Sequence, residues 1–277
     1  MKTVRLRSGD SVPALGQGTW NMGESPGARA EELASLRLGL DLGLTLIDTA
    51  EMYGEGQAEQ LVGEALAGRR DDAFIVSKVY PHNASRKGAV AACERSLKRL
   101  KTDRIDLYLL HWRGSVPLAE TMEAFMALKK AGKIRHYGVS NLDLADMREL
   151  EDVAGGPEVA ANQLLYNLTR RGIEWDLLPY LRKAGIPLMA YSPIEQARLL
   201  RNPRLENFAR DRAMTPAQVA LAWLLAKENV MVIPKTGHRD RVRENAGALE
   251  VKLSNEHMAE LDRLFPAPKG PAVLEML

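Results

Sequence analysis

The chain has 277 residues, 45% apolar and 27% charged, with a formal net charge of +2. That composition is ordinary for a soluble globular protein long enough for one large α/β domain with a sizeable core. No tail concentrates charge, so a nucleic-acid partner has no footing here. No run reaches the ~20 apolar residues that cross a bilayer, and the opening Met1-Lys2-Thr3-Val4-Arg5-Leu6-Arg7 lacks a signal-peptide core. Cys93 is the single cysteine, which leaves no internal disulfide and makes a thiol metal site a poor reading. A cytoplasmic protein is the expectation. Oligomeric state is not readable, and a monomer is compatible with everything above.

Residues 3–15 alternate apolar and polar around Ser8-Gly9-Asp10-Ser11, the pattern of a β-hairpin. A first long-sheet strand is predicted over 14–20. Helical spacing follows over 29–42 and stops at Gly43. The short apolar run Leu44-Thr45-Leu46-Ile47 reads as a buried strand that ends at Asp48, with Tyr53 on the loop beyond. The alternation then repeats: helix 58–66, strand 73–78, helix 87–100, strand 105–111, helix 118–131, strand 134–141, helix 143–153. A weaker strand is predicted over 159–163, then helix 174–184 and strand 187–191. Residues 194–214 read as an irregular, charged connection with some helix. Thr215, Pro216 and Gln218 form a strong helix start, and that helix is predicted to run to about 228. A last strand over 230–235 precedes helices over 240–248 and 255–265.

Eight strands, each followed by a helix, imply right-handed βαβ units and a parallel sheet. Eight units in about 250 residues predict a (β/α)8 TIM barrel, here with an N-terminal β-hairpin and extra C-terminal helices, as a single domain over 1–277. The rival open sheet lacks its glycine fingerprint, since Gly54-Glu55-Gly56-Gln57-Ala58-Glu59 ends in Glu.

The strand ends, taken together, form a polar ring: Trp20, Asp48, Lys78, His111, Ser140 with Asn141, Gln163, Tyr191 with Ser192, and Lys235 with Thr236. In a barrel that rim carries the active site. Asp48, Tyr53, Lys78 and His111 make a specific set. A tyrosine with an unperturbed pKa near ~10 is a poor acid at neutral pH; an adjacent ammonium lowers it, and a carboxylate keeps the ammonium charged and aimed. A neutral imidazole can orient a carbonyl oxygen. Such a set gives a proton to a carbonyl oxygen, or takes one from an alcohol. His82, His136 and His257 have no partner at ligand spacing and read as surface residues, and no metal site is expected. The stripe Val219, Ala222, Trp223 and Ala226 reads as core packing, and Cys93 as a small apolar residue inside a helix.

These motifs, in this order, resemble those of the aldo-keto reductases over nearly the whole chain. The resemblance rests on Leu46-Ile47-Asp48-Thr49-Ala50-Glu51-Met52-Tyr53-Gly54, Ser77-Lys78, Leu110-His111-Trp112, Gly138-Val139-Ser140-Asn141, Tyr191-Ser192-Pro193 and Ile233-Pro234-Lys235-Thr236. In detail, Ser77-Lys78-Val79-Tyr80-Pro81 and the compact C-terminus look most like bacterial members that reduce methylglyoxal and similar small aldehydes. The resemblance implies metal-free, NADPH-dependent carbonyl reduction, with Tyr53 as proton donor, Lys78 and Asp48 tuning it, and His111 orienting the carbonyl. It also implies that Ser140, Asn141 and Gln163 hold the nicotinamide carboxamide, with Tyr191 stacked on the ring and Ser192 beside it. Lys235, Thr236 and Arg241 would take the 2′-phosphate, and Glu244 and Asn245 the adenine, which favours NADP over NAD. Trp20, Tyr80 and Trp112 are the candidates for lining the aldehyde pocket.

One stretch departs from the family pattern. After Tyr191-Ser192-Pro193 the family often has Leu, a small residue, any residue and Gly, whereas this chain has Ile194-Glu195-Gln196-Ala197. An acidic residue beside the cofactor's pyrophosphate is unexpected. Two other functions compete: a non-catalytic, cofactor-binding subunit on the same fold, and a metal-dependent barrel hydrolase, which five histidines without a His-x-His pair disfavour. The short tail over 267–277 suggests an open pocket for small aldehydes.

Overall fold

The computed structural model describes residues 2–277. Strands β1 (Thr3–Arg5) and β2 (Ser11–Pro13) pair antiparallel as the predicted hairpin. Gly9, at φ 94°, makes the turn that a residue with a Cβ resists. Eight further strands form one parallel sheet in strict chain order: β3 (Gln17–Gly18), β4 (Leu46–Asp48), β5 (Phe74–Val79), β6 (Ile105–Leu110), β7 (Ile134–Ser140), β8 (Asn162–Leu165), β9 (Leu188–Tyr191) and β10 (Val230–Val232). Bridges Leu15–Val232 and Gly18–Lys235 join the last strand to the first, so the sheet closes on itself. Closure leaves no unpaired edge.

The helices between the strands are α1 (Arg29–Asp41), α2 (Gln57–Ala65), α3 (Arg86–Leu100), α4 (Leu118–Lys130), α5 (Leu144–Glu151) and α6 (Leu177–Ala184). They are followed by α7 (Pro203–Arg210), α8 (Pro216–Leu225), α9 (Arg239–Gly247) and α10 (Asn255–Leu264). Start signals behave as local chemistry requires. Asp143, Thr215 and Ser254 each complete a capping box. Strands β4, β6 and β8 are buried at every residue, as expected where helices cover a parallel sheet.

Several boundaries differ from the sequence reading, three of them in the second half of the barrel. The sixth barrel strand lies at Asn162–Leu165, not 159–163. Val159-Ala160-Ala161 is apolar enough to read as the strand, but a strand buried on both faces has no alternation to mark its register. Gln163 is therefore inside the strand rather than at its end. The sixth helix starts at Leu177 after a tight turn over Gly172–Glu174. The last strand stops at Val232 because Pro234 has no N–H for a ladder.

The hairpin covers the end of the barrel where the strands begin. Its turn residue Asp10 accepts a 2.7 Å contact from His136 of β7, which is buried rather than on the surface because the hairpin covers it, and Arg7 reaches the Pro157 carbonyl. Val4, Leu6 and Val12 add apolar burial there. The opposite rim, where the strands end, is left open for chemistry.

Candidate active site

The site is assembled from strand ends that are far apart in sequence. Strand β4 delivers Asp48 and β5 delivers Lys78, and both are buried. The Lys78 ammonium donates to Asp48 Oδ2 at 2.8 Å, to the Thr49 carbonyl at 2.8 Å and to Tyr53 Oη at 3.2 Å. All three of its N–H donors are used, so its geometry is fixed. The other Asp48 oxygen accepts from Gln163 Nε2 at 2.8 Å. His111 follows β6 and meets the Tyr53 ring edge-on, with centroids 5.8 Å apart. The four expected residues are thus one cluster.

The electrostatics of this cluster depend on burial. Burial, with the charge of Asp48 added to it, pushes the Tyr53 phenol well above its ordinary value. This reverses the lowered value expected from Lys78 alone: the ammonium is adjacent, but removal from water penalises the phenolate more. The free site therefore stores the proton on Tyr53. Burial also pulls Lys78 down, against the opposing pull of Asp48. Burial, followed by the Lys78 charge, pushes His111 down to about 2, so its imidazole is neutral. Its Nδ1 is buried without a hydrogen-bond partner.

A second set lies alongside. Ser140 Oγ donates to the Gln163 carbonyl at 3.0 Å. Asn141, at φ 55°, donates to the His111 carbonyl at 3.2 Å and accepts from Tyr191 Oη at 3.0 Å. Ser192 also has a positive φ, 48°, and its carbonyl accepts from Asn167 Nδ2 at 2.9 Å. The Gln163 amide nitrogen is turned onto Asp48, so this residue joins the tetrad itself. That link had no sequence signal, because it spans 115 positions.

Lys235 and Thr236 follow β10, and Arg241 lies on the first turns of α9. The ion pairs of this segment are Arg239–Glu31 and Arg243–Asp240. Lys235 and Arg241 are exposed and unpaired among the described residues. Glu244 is half-buried and Asn245 buried on the same helix. Two free cations and a hydroxyl beside a helix N-terminus suit a dianionic phosphate. Of the pocket candidates, Tyr80 packs edge-on against Trp112 at 5.8 Å, and Trp112 lies 4.8 Å from His111. Trp20 is exposed at the end of the first barrel strand.

The unexpected Glu195 turns away from solvent. It is 5% exposed. Its carboxylate accepts from Asn167 Nδ2 at 2.7 Å, Arg170 at 2.9 Å and Arg198 at 3.0 Å. Two guanidiniums on the Glu195 carboxylate offset its charge, so the acid is no obstacle to a phosphate. Glu195, Gln196 and Ala197 all have left-handed backbones, with φ of 52°, 51° and 67°. Ala197 stands where the family pattern has Gly, and the ion pairs hold the strained turn.

Sequence reasoning passed over Glu51 and Asn167. Buried Glu51 accepts from the Tyr80 N–H at 2.9 Å and from Asn83 Nδ2 at 3.0 Å, which holds the loop carrying Tyr80. Its place three residues past Asp48 was the available signal. The tail returns to the site: the Leu277 N–H donates to Tyr191 Oη at 3.4 Å.

Fold and site together define a barrel with a buried Asp48–Lys78–Tyr53 cluster beside His111 at the rim where its strands end, a layout suited to interconverting a carbonyl and an alcohol. The sequence profile of the aldo/keto reductase family matches residues 14–265. Methylglyoxal reductase YeaE of Escherichia coli K12 is 54% identical, with 100% of this chain and 99% of that protein covered. Glyoxal reductase of Bacillus subtilis 168 is 35% identical, with 99% and 97% covered. Among solved structures, an aldo-keto reductase from Klebsiella pneumoniae in complex with NADPH superposes with a TM-score of 0.97 at 49% identity, covering 100% and 99%. The chain belongs to the aldo/keto reductase family. No helix among the described residues is long and apolar enough to cross a membrane, and no group of His, Cys, Asp and Glu there could hold a metal.

Proposed function

We propose that this protein is an NADPH-dependent reductase of small aldehydes and ketones, with 2-oxoaldehydes such as methylglyoxal as favoured substrates. The observation that carries the reading is the hydrogen-bonded chain Gln163–Asp48–Lys78–Tyr53 beside a neutral His111. The similarity to a methylglyoxal reductase and to an NADPH-bound structure supports the substrate and cofactor.

The residues fit the cofactor. Tyr191 offers a ring face and Asn141 an amide for the nicotinamide end. Ser140 and Ser192 lie beside them, and the unpaired Lys235 and Arg241 with Thr236 suit a 2′-phosphate. Glu244 and Asn245 sit where an adenine would follow. When bound, NADPH supplies the hydride that reaches the carbonyl carbon. The protein supplies the rest. The neutral His111 imidazole and the Tyr53 hydroxyl orient the carbonyl oxygen. The Tyr53 proton passes to that oxygen as negative charge builds on it. Lys78, 3.2 Å away, stabilises the phenolate left behind. Asp48 keeps Lys78 charged and does not touch the substrate. Trp20, Tyr80 and Trp112 exclude water and limit the size of the carbonyl's substituents.

Mixing the protein with NADPH and methylglyoxal is expected to consume reduced nicotinamide. Tight NADPH binding without turnover across a broad aldehyde panel would instead establish the non-catalytic subunit. Arg241→Ala tests the phosphate contact. It is expected to weaken NADPH about 10- to 100-fold, the range for a hydrogen bond to a charged group, and to leave NADH within about twofold. Equal losses for both cofactors, measured by fluorescence titration, would remove Arg241 from the 2′-phosphate.

A further inference from the structure

Arg170 bridges two carboxylates from separate segments of the chain. One is buried Glu195, after β9; the other is Glu275, in the tail. The tail runs along the turn that contains Gly172, where an added Cβ would lie 3.2 Å from the Ala272 Cβ. Leu274 then packs against the core. Two residues beyond Glu275, the Leu277 N–H meets Tyr191 Oη, which itself donates to Asn141. Met276 and Leu277 are each 54% exposed despite being apolar. The tail thus sets half-exposed apolar side chains beside the nicotinamide end of the site and is held there largely by polar contacts. Exposed apolar groups at a site's mouth are matched by an apolar occupant.

Resting on the aldehyde-reductase reading, we infer that the Arg170–Glu275 pair is a latch that makes the tail one wall of the substrate mouth, with Glu275 a positioning residue for aldehydes bearing a bulky apolar substituent. Small aldehydes do not reach this wall. Arg170 has a second partner in Glu195, so removing Glu275 releases the tail and leaves the cofactor loop intact.

The test compares Glu275→Ala and Glu275→Arg with the parent on propanal and 3-phenylpropanal, which share one reacting group and differ in bulk, at saturating NADPH. An exposed ion pair supports a change of about two- to fivefold. The variants are expected to raise KM for 3-phenylpropanal by that factor, with KM and kcat for propanal unchanged. In 0.5 M salt the parent is expected to drift toward the variants, and Glu275→Ala not to respond, because salt screens the pair. Amide exchange of residues 270–277, followed by mass spectrometry, is expected to be faster in both variants than in the parent. A KM ratio that does not move, or one that moves to favour 3-phenylpropanal, overturns the wall; unchanged exchange overturns the latch. If the parent turns over neither aldehyde, the reductase reading fails, and the exchange result still decides the latch.

Discussion

Tyr53→Phe is expected to lower kcat by about 10²- to 10⁴-fold, the range for loss of a positioned general acid, while NADPH binds as before. The substitution removes one oxygen and keeps the ring that packs edge-on against His111. Little else changes, so the loss reports on the proton. Two features make the oxygen hard to replace. Burial and Asp48 keep the phenol protonated in the free site, and Lys78 stands 3.2 Å away to receive the charge once the proton leaves. His111 is no substitute acid, because burial and the Lys78 charge keep it unprotonated across the neutral range. A Tyr53→Phe variant reducing aldehydes at the parent rate would end the assignment of Tyr53 as donor. Fluorescence titration with NADPH separates that outcome from loss of the cofactor site.

Lys78→Met is expected to abolish turnover and to destabilise the fold by roughly 3–5 kcal/mol, because it leaves Asp48 charged and buried without its partner. In a chain of this size that lowers the melting temperature by about 5–12 °C. The double variant Lys78→Met with Asp48→Asn separates the two roles. It removes both charges, so most of the stability is expected to return while turnover remains absent. Full recovery of stability without recovery of activity assigns the pair to catalysis and marks its structural cost as avoidable. A single variant as stable as the parent would mean that Asp48 is protonated or finds another donor once Lys78 is gone. Gln163 Nε2 alone already gives it one hydrogen bond.

The two experiments bear on different links of one chain. In the proposed mechanism Tyr53 touches the reacting atoms, Lys78 acts on Tyr53, and Asp48 acts on Lys78. Arg241 and Glu275 are proposed to act at the cofactor and substrate ends.

Much of this was readable from local patterns. A short apolar run ending in Asp48, another carrying Lys78 and a third ending before His111 mark strands whose ends share one rim. Hydrophobic periodicity and helix caps report on neighbours within a few residues, and the strand–helix alternation turns that local record into a barrel. Barrel topology then brings Asp48, Lys78 and His111 together without further information. The motif order added the cofactor and the class of chemistry.

Other features depend on contacts between distant positions, or on how much water a group keeps. Gln163 on Asp48, Arg170 between Glu195 and Glu275, and Leu277 on Tyr191 join residues 25 to 115 positions apart, and no periodicity encodes such pairs. Glu195 looked like an obstacle to phosphate until its two guanidinium partners were located. The direction of the Tyr53 shift also had to wait, since the ammonium and the removal from water oppose each other and only the packed structure says which is larger. The fold class, the tetrad and the candidates for the cofactor phosphate are legible before folding, because each is written in short runs and in their order. The protonation of Tyr53, the neutralisation of Glu195 and the placing of the tail beside Tyr191 are not, because burial and long-range ion pairing exist only once the barrel has closed.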